Sequence, residues 1–110
     1  MITGKNYIGN TLSSKGTISY KTFNPQLNVE NPTEFLEATR EEISIALGLA
    51  SEAYKAFRKK DGKQKALFLN TIADEILNLE NELINTYCEE SGLTVGRAQG
   101  ERGRTIGQLR

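Results

Sequence analysis

The sequence contains no histidine and a single cysteine, Cys88. Without histidine, the chain lacks the commonest metal ligand and the commonest general base at neutral pH. A metal site made of carboxylates alone remains open, but no EF-hand loop or similar spacing is present. A thiolate nucleophile needs a base or positive surroundings, whereas Cys88 is followed by Glu89 and Glu90. We therefore interpret Cys88 as a structural residue, and the residues alone predict no catalytic site.

The sequence also lacks an excess of charge and a long apolar run. Lys and Arg number 14, as do Asp and Glu, so the formal net charge is zero. An even balance does not favour nucleic acid or an anionic membrane as a partner. No apolar stretch is long enough to cross a bilayer, and the N-terminus has no basic region followed by an apolar one. These absences predict a soluble, cytoplasmic protein.

Turn residues and short strand patterns dominate residues 1–38. The stretches "NYIGNTL" and "GTISYKTFNP" resemble short strands, and "SSKG" between them has the composition of a turn. We therefore expect the two strands to pair as a β-hairpin. After Pro32, "TEFLEA" is expected to be a short extended piece.

The hydrophobic period changes to that of a helix at Thr39, so residues 39–110 are predicted to be helical. Thr39 and Glu42 have the spacing of a capping box, and the first helix is expected to end at "RKKDGK". Its predicted apolar stripe consists of Ile43, Ala46, Leu47, Ala50, Ala53, Tyr54 and Phe57.

Two further helices are predicted. Asp61 and Gln64 have the spacing to cap the second helix, and Gly92 stands where a left-handed residue ends helices. The third helix begins near Thr94 and has no stop signal before Arg110. We therefore expect Arg110 to be a truncation point and the chain to be a single incomplete domain.

The predicted third helix contains a row of glycines at intervals of four, three and four: Gly96, Gly100, Gly103 and Gly107. Such spacing puts them on one helix face, although each costs about 1 kcal/mol relative to alanine. The spacing does not match a dinucleotide or phosphate loop. Charged neighbours disfavour a membrane dimer face, and the lack of aromatics disfavours an RNA-binding tail. Close packing on a neighbouring backbone is the simplest interpretation of the pattern.

The order of these elements resembles the N-terminal part of the aldehyde dehydrogenase superfamily. The resemblance is carried by "YIGN", "TISYKTFNPQ", "EATREEISIALGLASEAYKAFR" and "KALFLNTIADEILNLENELINTYCEESG". It implies an α+β fragment, with a β-hairpin and three helices, of the family's α/β cofactor-binding domain. The stretch "GERGRTIGQLR" is similar to the branch that oxidises α-ketoglutarate semialdehyde, or 2,5-dioxovalerate, to 2-oxoglutarate.

The resemblance also implies which residues have roles. The family's nucleophilic cysteine, general-base glutamate and cofactor-binding glycine turn lie downstream of Arg110, so this chain alone is expected to be inactive, without catalytic, cofactor or metal residues. Arg104 matches a position facing the aldehyde tunnel, where a guanidinium would bind a substrate carboxylate, and Gln108 would add a hydrogen bond. Arg97 or Arg102 could serve instead.

The resemblance further implies NAD or NADP as cofactor of the parent enzyme, an aldehyde as substrate, the remainder of the subunit as partner and a homo-oligomeric assembly. The competing hypothesis is a small helical interaction module without enzymatic activity, whose exposed apolar stripe binds a partner.

Overall fold

The computed structural model describes residues 2–110. Within them the chain forms four short strands followed by four helices, which confirms the predicted α+β class. The strands are β1 (Asn6–Ile8), β2 (Thr11–Ser13), β3 (Ser19–Asn24) and β4 (Val29–Leu36), and the helices are α1 (Arg40–Phe57), α2 (Gly62–Asn78), α3 (Glu80–Ser91) and α4 (Val95–Leu109).

The strands pair differently from the prediction. β1 pairs with β2 in an antiparallel hairpin, in which Ile8 is opposite Thr11 across a two-residue turn. β3 pairs with β4 in a second hairpin, so the two predicted strands belong to separate sheets. The segment "SSKG" is not the hairpin turn. Its first residue, Ser13, ends β2, and the residues after it run without regular structure; there the missing side chain of Gly16 lets the carbonyl oxygen of Glu37 approach its backbone.

The turn of the second hairpin is stabilised by an asparagine side chain. Oδ1 of Asn24 accepts hydrogen bonds from the N–H groups of Gln26 and Leu27, at 3.0 and 3.1 Å. Asparagine favours this local bonding in turns, and Asn28 completes the turn with a φ of 56°. The stretch "TEFLEA" is extended as predicted where it lies in β4. Pro32 is tolerated within β4 because a two-stranded sheet consists only of edge strands.

The predicted capping box of α1 is present. Oγ1 of Thr39 accepts a hydrogen bond from the N–H of Glu42 at 3.1 Å, and Oε1 of Glu42 accepts one from the N–H of Thr39 at 3.0 Å. Glu42 is only 1% exposed. Its Oε2 is also buried and makes no hydrogen bond of standard geometry within the described residues. The Ser13 hydroxyl, above all, and the backbone of Thr39 and Lys15 hold the pKa of the Glu42 carboxyl below its usual 4.5, although burial opposes them.

The long second helix of the prediction is interrupted. α2 ends at Asn78, and α3 begins at Glu80, which has a φ of 46°. A left-handed glutamate redirects the chain, because it breaks the helical repeat at that residue. Both α2 and α3 consequently pack against α4. The prediction of three helices is corrected to four in the described part of the chain.

The described residues divide into two compact units. One holds the residues up to Thr22 together with Pro32–Lys60, and the other holds Phe23–Asn31 together with Asp61–Arg110. The boundary runs through the β3–β4 hairpin. The predicted division at residue 38 within a single incomplete domain stays a prediction.

The second unit has an apolar core of small and branched side chains. Among residues 2–110, the buried apolar side chains are those of Ala73, Ile84, Ala98 and Ile106. The predicted stripe of α1, in the first unit, is largely uncovered: Leu47 is 68% exposed and Tyr54 is 61% exposed. No helix in the described range has the length and apolar character that a membrane span requires.

Removing the cap of α1 should destabilise the chain. We expect Thr39→Ala to lower the free energy of unfolding by about 1 kcal/mol, because the N–H of Glu42 loses its acceptor. Urea unfolding would measure this. Thr71→Ala is a matched control, since the Thr71 hydroxyl only contacts the carbonyl of Leu67 within exposed helix. Equal losses in the two variants would contradict a specific role of the cap.

The buried Glu42 should make the stability of the chain depend on pH. Because its folded pKa is lowered, the carboxylate stabilises the fold above its unfolded pKa, and this stabilisation is lost as the pH falls through the folded pKa. Glu42→Gln should therefore be less stable than the wild type at pH 7, and the difference should shrink below about pH 4. Urea unfolding across pH 3–7 would measure it, with Glu41→Gln at the exposed neighbouring position as control. A difference that does not change with pH would overturn this account.

Candidate functional site

The entry into α4 is fixed by a tight corner. Gly92 ends α3 in the left-handed region, with a φ of 72°, and its N–H donates to the carbonyl of Cys88 at 2.9 Å, as the sequence predicted. A side chain at Gly92 would meet Pro25 at 2.6 Å. Thr94 then caps α4 by accepting a hydrogen bond from the N–H of Arg97 at 3.2 Å. The corner therefore sets where α4 starts.

The two faces of α4 differ completely. Ala98 and Ile106 are buried, whereas the predicted site residues Arg104 and Gln108 are exposed. These two residues are four apart, so they lie on the same face about one turn from each other. An apolar groove of about 290 Å³ lies on the other side, and neither Arg104 nor Gln108 lines it. The structure thus brings the two predicted residues together on an open surface.

The glycine row lies on this open surface. A Cβ atom added at Gly96, Gly100, Gly103 or Gly107 would meet no atom within 4 Å. Close packing on a neighbouring backbone, the simplest interpretation of the sequence, therefore has no partner among residues 2–110. The face formed by these four glycines with Arg104 and Gln108 is called the glycine face below.

The arginines of the α4 segment are distinguished by their partners. Nη2 of Arg97 lies 2.9 Å from Oε1 of Glu101, and its Nε donates to the same oxygen at 3.1 Å. Nη1 of Arg102 is 3.4 Å from the carbonyl oxygen of Glu80. The guanidinium of Arg110 forms an ion pair with Asp74 of α2.

Arg104 is the remaining arginine. Its guanidinium makes no hydrogen bond or ion pair with any residue that the structure describes. An unpaired guanidinium keeps all five N–H donors available for a planar anion such as a carboxylate. The sequence left Arg97, Arg102 and Arg104 as alternatives, and of these Arg104 is the one whose side chain has no partner in the described part of the chain. Which of them binds a substrate stays a prediction.

Other candidate chemistry is sparse. Cys88 is a free, half-buried thiol on α3. No group of three His, Cys, Asp or Glu side chains between residues 2 and 110 is arranged to hold a metal ion. A dinucleotide would need a glycine turn between a strand and a helix, and the described segment contains none. The glycines of α4 lie within a helix instead, where the N–H groups of Gly100, Gly103 and Gly107 are engaged, so the row does not form a turn that fits a pyrophosphate.

Comparison with known proteins identifies the class. The model of the aldehyde dehydrogenase family matches residues 12–110. The chain therefore belongs to the aldehyde dehydrogenase family, and its α+β arrangement is that of a segment of this fold.

Individual relatives agree with this family. The chain is 38% identical to alpha-ketoglutaric semialdehyde dehydrogenase 2 of Azospirillum brasilense, over 99% of the chain and 21% of the relative. It is 40% identical to alpha-ketoglutaric semialdehyde dehydrogenase of Acinetobacter baylyi, over 72% of the chain and 15% of the relative. It is 28% identical to 1-pyrroline-5-carboxylate dehydrogenase of Staphylococcus saprophyticus, over 80% of the chain and 17% of the relative. The chain therefore spans between 15% and 21% of the length of these three relatives.

The open glycine face predicts the effect of adding methyl groups. Gly103→Ala should raise the free energy of unfolding of the chain by about 0.5–1 kcal/mol, because alanine favours the helix and meets no neighbour. Gly92→Ala is the opposite control and should lower it by more than about 1 kcal/mol, because of its left-handed φ and its contact with Pro25. Thermal unfolding of both variants measures this, and destabilisation by Gly103→Ala would mean that the glycine face is covered in solution.

Proposed function

We propose that this chain is part of an NAD(P)-dependent aldehyde dehydrogenase subunit that oxidises 2,5-dioxovalerate to 2-oxoglutarate. Family membership supports the oxidoreductase class. Two relatives that bear the name alpha-ketoglutaric semialdehyde dehydrogenase, at 38% and 40% identity, support the substrate. In this proposal the chain alone is inactive, and it works with the remainder of the subunit in a homo-oligomer.

Within this enzyme, Arg104 binds the carboxylate at the end of the substrate remote from its aldehyde. The observation that carries this role is the unpaired guanidinium of Arg104 on an open helix face. A guanidinium binds a carboxylate through two parallel, charge-assisted hydrogen bonds. Gln108, one turn further along α4, contributes a hydrogen bond from its amide. The absence of side chains at Gly100, Gly103 and Gly107 leaves room for a small molecule beside Arg104.

The nicotinamide cofactor, NAD or NADP, is assigned to other parts of the subunit. The glycines of α4 do not form a turn that could hold a pyrophosphate. The role of this segment is therefore to bind and orient the aldehyde rather than the cofactor. The catalytic cysteine and glutamate of the family are likewise assigned elsewhere, and Cys88 keeps its structural interpretation.

The alternative function, a small helical interaction module, has one observation in its favour. The stripe of α1 is exposed, with Leu47 and Tyr54 uncovered by the residues that the structure describes. Exposed apolar faces of this kind mark surfaces that bind other protein. The stripe fits the enzyme proposal equally, because the remainder of a subunit would cover it, so sequencing the gene beyond codon 110 separates the two.

The carboxylate role of Arg104 predicts a selective loss of activity. In the full reading frame, Arg104→Ala should lower kcat/KM for 2,5-dioxovalerate by about 10- to 100-fold, because a charge-assisted hydrogen-bond pair is lost. Arg104→Lys should lose less, since it keeps the charge but not the planar pair of donors. Pentanal, which has no carboxylate, is the control substrate. Equal losses for both aldehydes, or no loss for either, would contradict the proposed role.

A further inference from the structure

Charged residues of opposite sign alternate along α4 at helical spacing, and the half-buried Glu101 lies at the edge of the exposed side. Arg97 is four residues before Glu101, and Arg104 is three residues after it. The ion pair between Arg97 and Glu101 lies at the surface, with side-chain exposures of 64% and 37%. Both contacting nitrogens of Arg97 meet a single oxygen, Oε1, of Glu101. Arg104 stands on the other side of the same carboxylate along the helix and has no partner within the described range.

Two arginines therefore stand at neighbouring helical positions on either side of one carboxylate. Residues three or four apart on a helix are neighbours, so the Glu101 side chain is within reach of Arg97 and of Arg104. An acid that precedes its basic partner has the more favourable order in a helix, and Glu101 precedes Arg104. Without Arg97, Glu101 would thus be expected to pair with Arg104. The structure shows the opposite outcome, in which Glu101 is paired with Arg97 and Arg104 is free.

We infer that Arg97 is a positioning residue, which holds Glu101 and so keeps the guanidinium of Arg104 free for an anionic ligand. This inference rests on the proposed function of Arg104. Arg97 acts in two ways, and both favour the binding of an anionic ligand at Arg104. It occupies the carboxylate that would otherwise bind Arg104, and it neutralises a negative charge that would repel a substrate carboxylate nearby. Because the charges of Arg97 and Glu101 cancel, the positive charge that remains among these three residues is that of Arg104.

The inference predicts a change in substrate affinity rather than in turnover. In the full-length enzyme, Arg97→Gln should raise KM for 2,5-dioxovalerate about 1.5- to 2.5-fold at low salt, the size expected for an exposed ion pair on a helix. Its kcat should be unchanged, and so should KM for pentanal. The increase in KM should diminish with added salt, because exposed charges are screened.

A second substitution and a control of equal charge make the test specific. Arg97→Gln combined with Glu101→Gln should return KM for 2,5-dioxovalerate to near the wild-type value, because no carboxylate then competes for Arg104. Arg102→Gln removes the same charge from the same helix, but the Arg102 side chain hydrogen-bonds the carbonyl of Glu80 and not Glu101, so this substitution should leave KM unchanged. If Arg102→Gln raises KM as much as Arg97→Gln does, a general charge effect explains the result and the inference is wrong. If adding Glu101→Gln does not restore KM, Arg97→Gln acts through a structural loss and the inference is wrong.

The competition is also observable without turnover. In the 110-residue chain, NMR of the arginine Nε–H groups should show slower exchange with water at Arg104 after Arg97→Gln, because Glu101 then pairs with it. Unchanged exchange would overturn the competition itself. If exchange slows while Arg104→Ala leaves KM unchanged, the competition stands and the proposed carboxylate role of Arg104 fails. If Arg104→Ala raises KM but Arg97→Gln does not, the carboxylate role stands and the positioning role fails.

Discussion

The burial of Ala98 and Ile106 determines which residues of α4 face outward. These side chains face α2 and α3, and removing apolar surface from water is the dominant favourable term in packing. Since side chains on a helix follow a repeat of 3.6 residues, fixing one face fixes the other. The glycines, Arg104 and Gln108 are therefore directed outward by the burial of two side chains on the opposite face. The site depends on a core that is small, because the buried residues of α2 and α3 are only Ala73 and Ile84.

Features that the sequence encodes within a few residues were predicted correctly. The capping boxes at Thr39 and Asp61 and the left-handed end at Gly92 each depend on residues no more than four positions apart. Such local rules act in the same way in any fold. The superfamily was also recognisable from the sequence, and the family's model matches residues 12–110. The roles of Arg104 and Gln108 came only from that resemblance and stay predictions.

Features that depend on distant residues were not predicted. "SSKG" has the composition of a turn, but Gly16 instead lets the backbone of Glu37, which is 21 positions away, approach closely. The interruption before Glu80 has no glycine or proline to signal it, yet it allows both α2 and α3 to pack against α4. The partners of Arg102 and Arg110 lie on other helices. Sequence spacing therefore could not tell which arginine is free.

The exposed position of Arg104 bears on how such an enzyme evolves. A side chain at this position meets no buried neighbour, and the adjacent glycines add no Cβ atoms that would clash with a larger one. Exchanges at residue 104 should therefore change the chemistry that the helix presents at almost no cost in folding stability. The buried alanine and isoleucine preserve the helix while this happens. Under the role proposed for Arg104, a lineage can in this way acquire a new aldehyde preference through single codon changes on one face of α4.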